Sequence, residues 1–285
     1  MRGIAQWGQT GTFAAAAAIL VWSSTYTRAQ VAGRDPNTVL AASRQALGGE
    51  KKLAAVKSFT VTGRTRQIRG ENLVPIEFEL FVELPDKYVR KDEIPAQESG
   101  VTASGFNGDA LVQDPPPPAP PPPSPAPAAP GAQGGPPRNA SAPRVAALKQ
   151  DFTRLMLGMF ASSTSVFPLT FTYVGEAEAP QGKADVLDAK GPNNFTLRFF
   201  VAKDTHLPIM VSWQGGRGPA SPQRGPEQSR GTENRLYFAD YRDVDGMQFP
   251  FRLRRAVGPD TIEETTFDRF RINAKIDPRR FEVRK

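Results

Sequence analysis

The chain contains no cysteine and only one histidine, His206, among its 285 residues. Without cysteine it can form no disulfide bond, no thiolate nucleophile and no lipid attachment at a lipobox. Most protein metal sites and most nucleophile–base pairs use His or Cys, so these two shortages remove most of that chemistry. Carboxylates, hydroxyls, Lys and Arg remain. This composition favours a binding protein over an enzyme, with no catalytic residue, metal or cofactor expected.

Long apolar runs are also lacking, apart from one short run over residues 13–22. Arg2 precedes this run, and a polar stretch ending Thr27-Arg28-Ala29 follows it, which is the pattern of a signal peptide cleaved after Ala29. The run has about half the length that spans a bilayer. An uncleaved anchor is the alternative. We therefore predict a signal peptide over residues 1–29 and a single exported domain over 30–285, located in the periplasm without a lipid anchor.

The formal net charge of +7 is mild for a chain of this length. Removal of Arg2 and Arg28 with the signal peptide would leave about +5. The basic residues alternate with acids and form no stripe, which argues against nucleic acid as a partner. We expect a monomer.

Two segments have the apolar periodicity of helices. The first covers residues 36–47, ends at Gly48-Gly49 and is followed by a short helical turn over 51–53. The second covers residues 144–160, where apolar side chains recur at helical spacing. Because the second helix is so apolar, it must be covered by a large surface.

Most of the remaining sequence alternates as β-strands do. The pattern is clearest over residues 76–84, where apolar residues face one way and Glu77, Glu79 and Glu83 the other, with only Phe81 breaking the polar face. Tight turns at Asn107-Gly108 and Asp245-Gly246 indicate hairpins. Further strands are predicted over 58–69, 87–91, 102–113, 171–175, 184–190, 195–202, 207–213, 236–242, 249–255, 261–272 and 281–284. Consecutive hairpins predict an α+β fold with a large curved antiparallel sheet, an incomplete β-barrel, and helices packed on its concave face.

Two segments of low complexity interrupt this pattern. Residues 114–143 are almost wholly Pro, Ala, Gly and Ser, which predicts a disordered or polyproline II insertion. Residues 215–234 are polar and basic, which predicts a long loop. A ligand for an SH3-like groove is one interpretation of the proline-rich segment. A spacer is the simpler one, because such readers are mostly intracellular.

Polar residues that suggest chemistry also have plainer interpretations. His206 lies in a predicted hairpin turn, and Asp243 and Asp245 lack the remaining ligands of a calcium loop, so we interpret all three as turn residues. The glutamates of residues 76–84 form a solvated face rather than an acid–base pair. Three basic residues are expected to face solvent, where they could meet a lipid phosphate or an acidic partner: Arg252, Arg254 and Arg255.

Four local phrases together resemble a known family. They are GFNGD at residues 105–109, KDTHLP at 203–208, YRDVDGMQFP at 241–250, and the segment from Ile272 to Phe281. In this order and spacing they resemble the LolA/LolB-like family of periplasmic lipoprotein-localisation factors, which includes outer-membrane lipoprotein-sorting proteins. The resemblance covers most of residues 36–113 and 144–285, and the two low-complexity segments depart from it.

The resemblance implies a carrier that holds a lipid or an acylated lipoprotein in a hydrophobic cavity between sheet and helices. Such a cavity needs many apolar side chains, and the chain contains 18 Phe. The alternative is a periplasmic scaffold or sensor with a filled core that binds a partner in the inner or outer membrane. A void of several hundred cubic ångströms would favour the carrier. The candidate lining residues are Phe78, Leu80, Phe152, Met156, Phe199, Val211, Trp213, Phe238 and Phe251.

Overall fold

The computed structural model describes residues 34–95, 100–116, 141–179, 182–215 and 231–282. The first element is helix α1 (Pro36–Ala46), whose amino terminus is capped by the Asp35 carboxylate, an acceptor for the backbone N–H of Asn37. Gly48 and Gly49 follow it with positive φ angles of 129° and 90°, which glycine adopts without strain. Helix α2 (Glu50–Ala55) comes next. Both helices are where the sequence pattern predicted them.

Twelve strands and a third helix make up most of the described chain. The strands before the long helix are β1 (Ser58–Arg69), β2 (Asn72–Glu83), β3 (Lys87–Glu93), β4 (Thr102–Asn107) and β5 (Ala110–Asp114). Helix α3 (Ser141–Phe160) follows. The strands after it are β6 (Thr170–Ala179), β7 (Gly182–Lys190), β8 (Thr196–Ala202), β9 (Pro208–Gln214), β10 (Glu233–Val244), β11 (Met247–Val257) and β12 (Asp260–Ile272).

These strands form one antiparallel sheet in the order β5-β4-β3-β2-β1-β12-β11-β10-β9-β8-β7-β6. It consists of two meanders, β1 to β5 and β6 to β12, joined where β1 pairs with β12. Strands β5 and β6 are its two edges, and within the described residues the sheet does not close into a barrel. The predicted architecture, a large antiparallel sheet forming an incomplete barrel with helices, is confirmed.

Helix α3 lies against the inner, apolar face of this sheet. It contacts β4 and β5 near one edge, and β9 and β11 in the other meander. Every residue from Phe152 to Phe160 is buried, so the second half of the helix is surrounded by protein. At Gly158 the packing is so close that an added Cβ would overlap the Phe238 ring. The absence of a side chain at Gly158 therefore sets how deeply α3 lies in the concavity.

The outer face of the first meander is covered by the end of the described chain. A 3₁₀ helix (Pro278–Phe281) begins at Asp277, whose carboxylate accepts from the N–H of Arg279. Phe281 therefore lies in a helical turn and not in the strand predicted over 281–284, because Pro278 and this cap favour a tight helical turn; residues 283 and 284 of that prediction lie outside the described residues. Phe281 and Ile276 bury a small apolar cluster on the outer face, made of Phe81, Val89 and Val112. This cover explains why Phe81 interrupts an otherwise polar face.

Both low-complexity segments are attached at the same side of the sheet, which is formed by the ends of strands and not by an edge strand. Strand β5 ends at Asp114 and helix α3 begins at Ser141, so the predicted insertion 114–143 is shorter at both ends. The predicted loop 215–234 likewise overlaps the start of β10 at Glu233. The antiparallel registers place the ends of β5 and β9 and the start of β10 on one side, which we call the insertion edge. Residues 117–140, 216–230 and the predicted signal peptide lie outside the described residues.

Candidate functional site between helix α3 and the sheet

The nine predicted lining residues share one layer between α3 and the sheet. All but Trp213 are buried, and Trp213 is half-buried against the same continuous core cluster. Helix α3 contributes Phe152 and Met156, and the other seven come from both meanders: Phe78, Leu80, Phe199, Val211, Trp213, Phe238 and Phe251. The sheet therefore brings together residues that are up to 173 positions apart from Phe78 to Phe251. Their role in binding a ligand remains a prediction.

A pocket of about 220 Å³ opens at the carboxyl end of α3. Its apolar lining comes from α2 and its flanks, from the β2–β3 turn and from α3: Leu53, Val56, Leu84, Met156 and Phe160. Arg44 and Glu50 also line the pocket and are joined by a hydrogen bond of 2.6 Å from Nε of Arg44, and Ser162 and Ser163 complete its polar lining. The volume is somewhat smaller than the roughly 300 Å³ at which small-molecule sites begin.

The larger recesses lie on the outer face and are polar. One of about 550 Å³ is lined by Arg64, Glu77, Glu79 and Lys91 among others. Another, of about 380 Å³, lies beside the carboxyl-terminal segment and is lined by Arg269, Arg271 and Lys275. Glu77 and Glu79 are exposed, and Glu83 forms an ion pair with Lys87 at 2.9 Å. These glutamates form a solvated face, as the sequence pattern predicted.

A polar cluster interrupts the apolar layer in the middle of α3. Arg154 donates from Nη1 to Oδ1 of Asp151 at 2.8 Å, and Nη2 of Arg255 lies 3.8 Å from the same oxygen. The Arg154 guanidinium contacts two aromatic rings and lies 4.1 Å from the centroid of Trp213 and 5.0 Å from that of Phe195. The guanidinium of Arg255 is 5.9 Å from the Trp213 ring. Two cations therefore share one carboxylate oxygen and one indole, a stacking geometry that favours arginine.

Arg154 is an unusual residue to bury. Only 8% of its side chain is exposed, and burial lowers the pKa of its guanidinium, an effect that the neighbouring Asp151 carboxylate opposes. In addition, Nε of Arg154 and Nε of Arg255 are both buried without a hydrogen-bond partner among the described residues. An unsatisfied donor of a charged group costs free energy when it is buried. The cluster therefore contains more hydrogen-bond donors than acceptors.

The sequence patterns did not single out Arg154 or Asp151. The available signal was a charge within the apolar stretch FTRLMLGMF of the predicted helix. Arg255 was expected to face solvent, but it follows the buried Leu253 by two residues in an unbroken register, so it shares the inner face of β11 and lies beside Asp151 of α3. Arg252 and Arg254 are exposed as predicted, and the Arg254 guanidinium lies 4.2 Å from the centroid of the Tyr237 ring.

A second group of polar side chains lies on the inner face near the insertion edge. Arg90 donates from Nε to Asp92 at 2.6 Å and from Nη2 to the Thr65 hydroxyl at 3.1 Å, and Thr65 is 2.8 Å from the hydroxyl of Thr265. Tyr88 packs nearby on the Phe152 ring of α3, with centroids 5.2 Å apart. Burial raises the pKa of Tyr88 to about 12.

The remaining candidates are turn residues. His206 has a φ angle of 57° after β8, and Asp245 has a φ angle of 55° between β10 and β11. Asp243 accepts from the N–H of Gly246 at 3.1 Å, which closes that turn. In the part of the chain that the structure describes, no three or more His, Asp or Glu side chains lie close enough to hold a metal ion. No described helix has the length and apolarity to cross a membrane.

Comparison with known proteins supports the fold assignment. No protein-family model and no curated protein matches the chain in sequence. A solved LolA superfamily protein from Nitrosomonas europaea superposes with a TM-score of 0.52 at 10% identity, over 86% of this chain and 96% of that one. This similarity confirms the LolA/LolB-like fold that the sequence phrases predicted.

Two further solved structures give lower scores. A DUF1329 family protein from Desulfovibrio piger has a TM-score of 0.46 at 11% identity, over 87% of this chain and 98% of that one. A candidate outer membrane lipoprotein-sorting protein domain from Vibrio parahaemolyticus has a TM-score of 0.48 at 8% identity, over 87% and 97%.

Proposed function

We propose that this protein is a non-catalytic periplasmic binding protein that holds an acyl chain of a lipid or an acylated lipoprotein between α3 and the concave face of the sheet. The observation that carries the proposal is the continuous apolar layer that α3 covers, whose members Leu53, Met156 and Phe160 also line the pocket at the carboxyl end of the helix. Burial of an acyl chain gives about 0.8 kcal/mol per methylene before ordering costs, so such a surface supplies a large gross driving force.

The sequence resemblance and the N-terminal pattern support the same proposal. The resemblance implies a carrier of lipid or lipoprotein, and the arrangement of residues 1–29 is that of an export signal. The candidate lining residues Phe78, Leu80, Phe152, Met156, Phe199, Val211, Trp213, Phe238 and Phe251 would contact the acyl chain.

Entry of a full acyl chain requires more room than the pocket of about 220 Å³ provides. Helix α3 is the element whose displacement would supply that room. Its first half is held by surface contacts: Lys149 forms an ion pair with Asp109 at 2.6 Å, and Arg144 donates to Gln113 at 3.1 Å. Exposed contacts of this kind contribute little to stability, so we propose that α3 moves outward when the ligand enters.

Filling the pocket tests the proposal directly. Ser163 is half-buried and lines the pocket, whereas Ser165, two residues away, is exposed and does not. We expect Ser163→Trp to weaken binding of a dansylated fatty acid by about tenfold or more, because the indole occupies the volume that the acyl chain needs. Ser165→Trp is the matched control and should bind like the unaltered protein. The measurement is a fluorescence titration.

The ligand itself is identified by native mass spectrometry of protein purified gently from its own periplasm, with lipid extraction of the same sample. A stoichiometric lipid or acylated peptide would establish the carrier and name its cargo. An unliganded mass, together with no uptake of the fatty acid probe, would refute the proposal.

A second function is favoured by the close packing of α3. Gly158 lies so close to Phe238 that the helix fits the concavity as a permanent core element would. The protein would then be a scaffold or sensor that binds a protein partner through its surface. An unliganded mass with no probe uptake would support this second function.

A further inference from the structure

We infer that Arg154 and Arg255 bind the anionic head group, a carboxylate or a phosphate, of the amphiphile whose acyl chain lies along α3. The inference rests on the proposed function and adds the chemical class of the ligand. It concerns the polar cluster of Asp151, Arg154 and Arg255 beside Trp213, and its three charged residues have no role in the apolar binding layer.

The donors that this cluster leaves unused are the first argument. Each guanidinium directs an Nη atom toward the same Asp151 oxygen, at 2.8 Å from Arg154 and 3.8 Å from Arg255, and each keeps a buried Nε without an acceptor. The Nε–H and an Nη–H of one guanidinium are the pair that binds a carboxylate or phosphate in a bidentate manner. An anion would therefore satisfy donors that the described residues do not.

The charge balance is the second argument. Two cationic groups contact one carboxylate, and the side chain of Asp151 is 48% exposed, so that water weakens its compensation of the buried Arg154. Burying the Arg154 cation costs free energy because Arg154 shares with Arg255 the only carboxylate that it contacts among the described residues. A well-packed apolar residue at this position would stabilise the packing of α3 more. The contacts of the Arg154 guanidinium with the Trp213 and Phe195 rings restrict its freedom to rotate.

The position of the cluster along α3 is the third argument. Arg154 stands near the start of the buried half of the helix, and Phe160, which lines the apolar pocket, stands at its end. A helix rises about 1.5 Å per residue with about 3.6 residues per turn, which separates these two positions by about 9 Å along the axis and about a third of a turn around it. An amphiphile lying along α3 would thus place its head at the arginines and its chain toward the pocket.

The test compares ligands that share one chain and differ in the head group. Dodecanoate, dodecyl phosphate and the uncharged dodecyl maltoside are titrated by calorimetry into the unaltered protein and into Arg154→Gln, Arg255→Gln and Arg254→Gln. The last variant is the matched control, because Arg254 is the neighbouring arginine but lies exposed on the other face. We expect the first two variants to bind both anionic amphiphiles about tenfold or more weakly, the loss typical of one charge-assisted hydrogen bond, and dodecyl maltoside unchanged.

Arg154→Gln could bind weakly only because it misfolds. A second variant that is expected to bind more tightly avoids this ambiguity, because misfolding cannot increase affinity. Asp151→Asn removes the competing carboxylate, so we expect several-fold tighter binding of the anionic amphiphiles and no change for dodecyl maltoside. The inference would be overturned if Arg154→Gln and Arg255→Gln lost affinity equally for all three ligands, or if Arg254→Gln lost as much affinity as they do. Either result would leave the proposed acyl binding intact. Inorganic phosphate that binds as tightly as dodecyl phosphate would overturn it too, because the arginines would then bind a free anion. If none of the amphiphiles binds the unaltered protein, the proposed function itself fails.

Discussion

Single residues decide how α3 is attached to the sheet, and several of them are polar. Tyr241 lies with its hydroxyl 2.8 Å from the carbonyl oxygen of Gly158 and 2.9 Å from that of Pro208, so it donates its one hydrogen to this pair. Tyr88 packs on Phe152, and Arg154 stacks on Trp213. The alternating sequence pattern predicted that Tyr88 lies in a strand. It could not predict the contact of Tyr88 with Phe152 of α3, because these residues are more than 60 positions apart.

The tyrosines under α3 make the stability of the protein depend on pH at the alkaline end. Burial raises the pKa of Tyr88 to about 12, whereas an unfolded tyrosine ionises near 10. The neutral form is thus favoured in the folded protein, so this contribution is fully present below pH 10 and is lost as the pH rises toward 12. We expect the free energy of unfolding in urea to fall by about 1.4 kcal/mol per pH unit for this tyrosine in that window.

Tyr88→Phe is the control for that pH dependence. It removes the ionisable group and keeps the ring that packs on Phe152, so the slope above pH 10 should become shallower by the contribution of one tyrosine. Burial also raises the pKa of Tyr241, which leaves a residual slope in the variant. An unchanged slope would contradict the assignment of this effect to Tyr88.

At the scale of the element, α3 is defined by how closely it approaches β10. Its sequence predicted an amphipathic helix needing a large cover, and the structure buries it on all sides from Phe152 onward. The pattern of apolar residues indicates which face is buried, but the depth of burial depends on a small residue facing a large one on another element. Gly158 and Phe238 form that pair, and they lie 80 positions apart.

Gly158→Ala tests this close approach. Alanine is the better helix former by about 1 kcal/mol. Its Cβ would nevertheless overlap the Phe238 ring, and overpacking a core costs about 1–3 kcal/mol. We therefore expect a net destabilisation of about 1 kcal/mol, measured by urea unfolding. The double variant Gly158→Ala with Phe238→Leu supplies the control, since the smaller side chain should make the alanine less unfavourable than it is opposite Phe238.

At the scale of the whole molecule, two long-range contacts hold the sheet together. The pairing of β1 with β12 joins the two meanders, and the carboxyl-terminal segment covers the outer face of the first one. Phe281 is 1% exposed there, and its carbonyl oxygen accepts from Nδ2 of Asn107 at 3.2 Å. The end of the described chain therefore stabilises strands that lie about 200 positions earlier.

Phe281→Ala should expose Phe81, Val89 and Val112 on the outer face. Truncating a buried Phe costs about 3–5 kcal/mol, and a site in a small cluster on the outer face, which can collapse more easily than the main core, should lie near the lower value. We expect a loss of about 3 kcal/mol in urea unfolding and increased binding of an apolar dye. Glu282→Ala, at the exposed neighbouring position, should change neither quantity. Equal stability of the two variants would show that the segment does not hold the outer layer.

The sequence by itself determined most of the elements of this fold. Alternation placed the strands within a few residues, and the turns at Asn107-Gly108 and Asp245-Gly246 joined them as hairpins. These are properties of neighbouring residues, so the amino-acid pattern contains them. The antiparallel sheet followed from consecutive hairpins, and the nine candidate lining residues all came to lie in one layer.

Only the tertiary structure decided which faces met. The pairing of β1 with β12, the depth of α3, the outer cover by Phe281 and the meeting of Asp151, Arg154 and Arg255 all join residues that are distant in the chain. A local pattern contains no information on such pairs, since any strand edge or apolar face offers the same chemistry to many partners. Arg255 shows this clearly, because alternation after Leu253 puts it on the inner face, whereas only the packing of α3 against β11 brings Asp151 beside it.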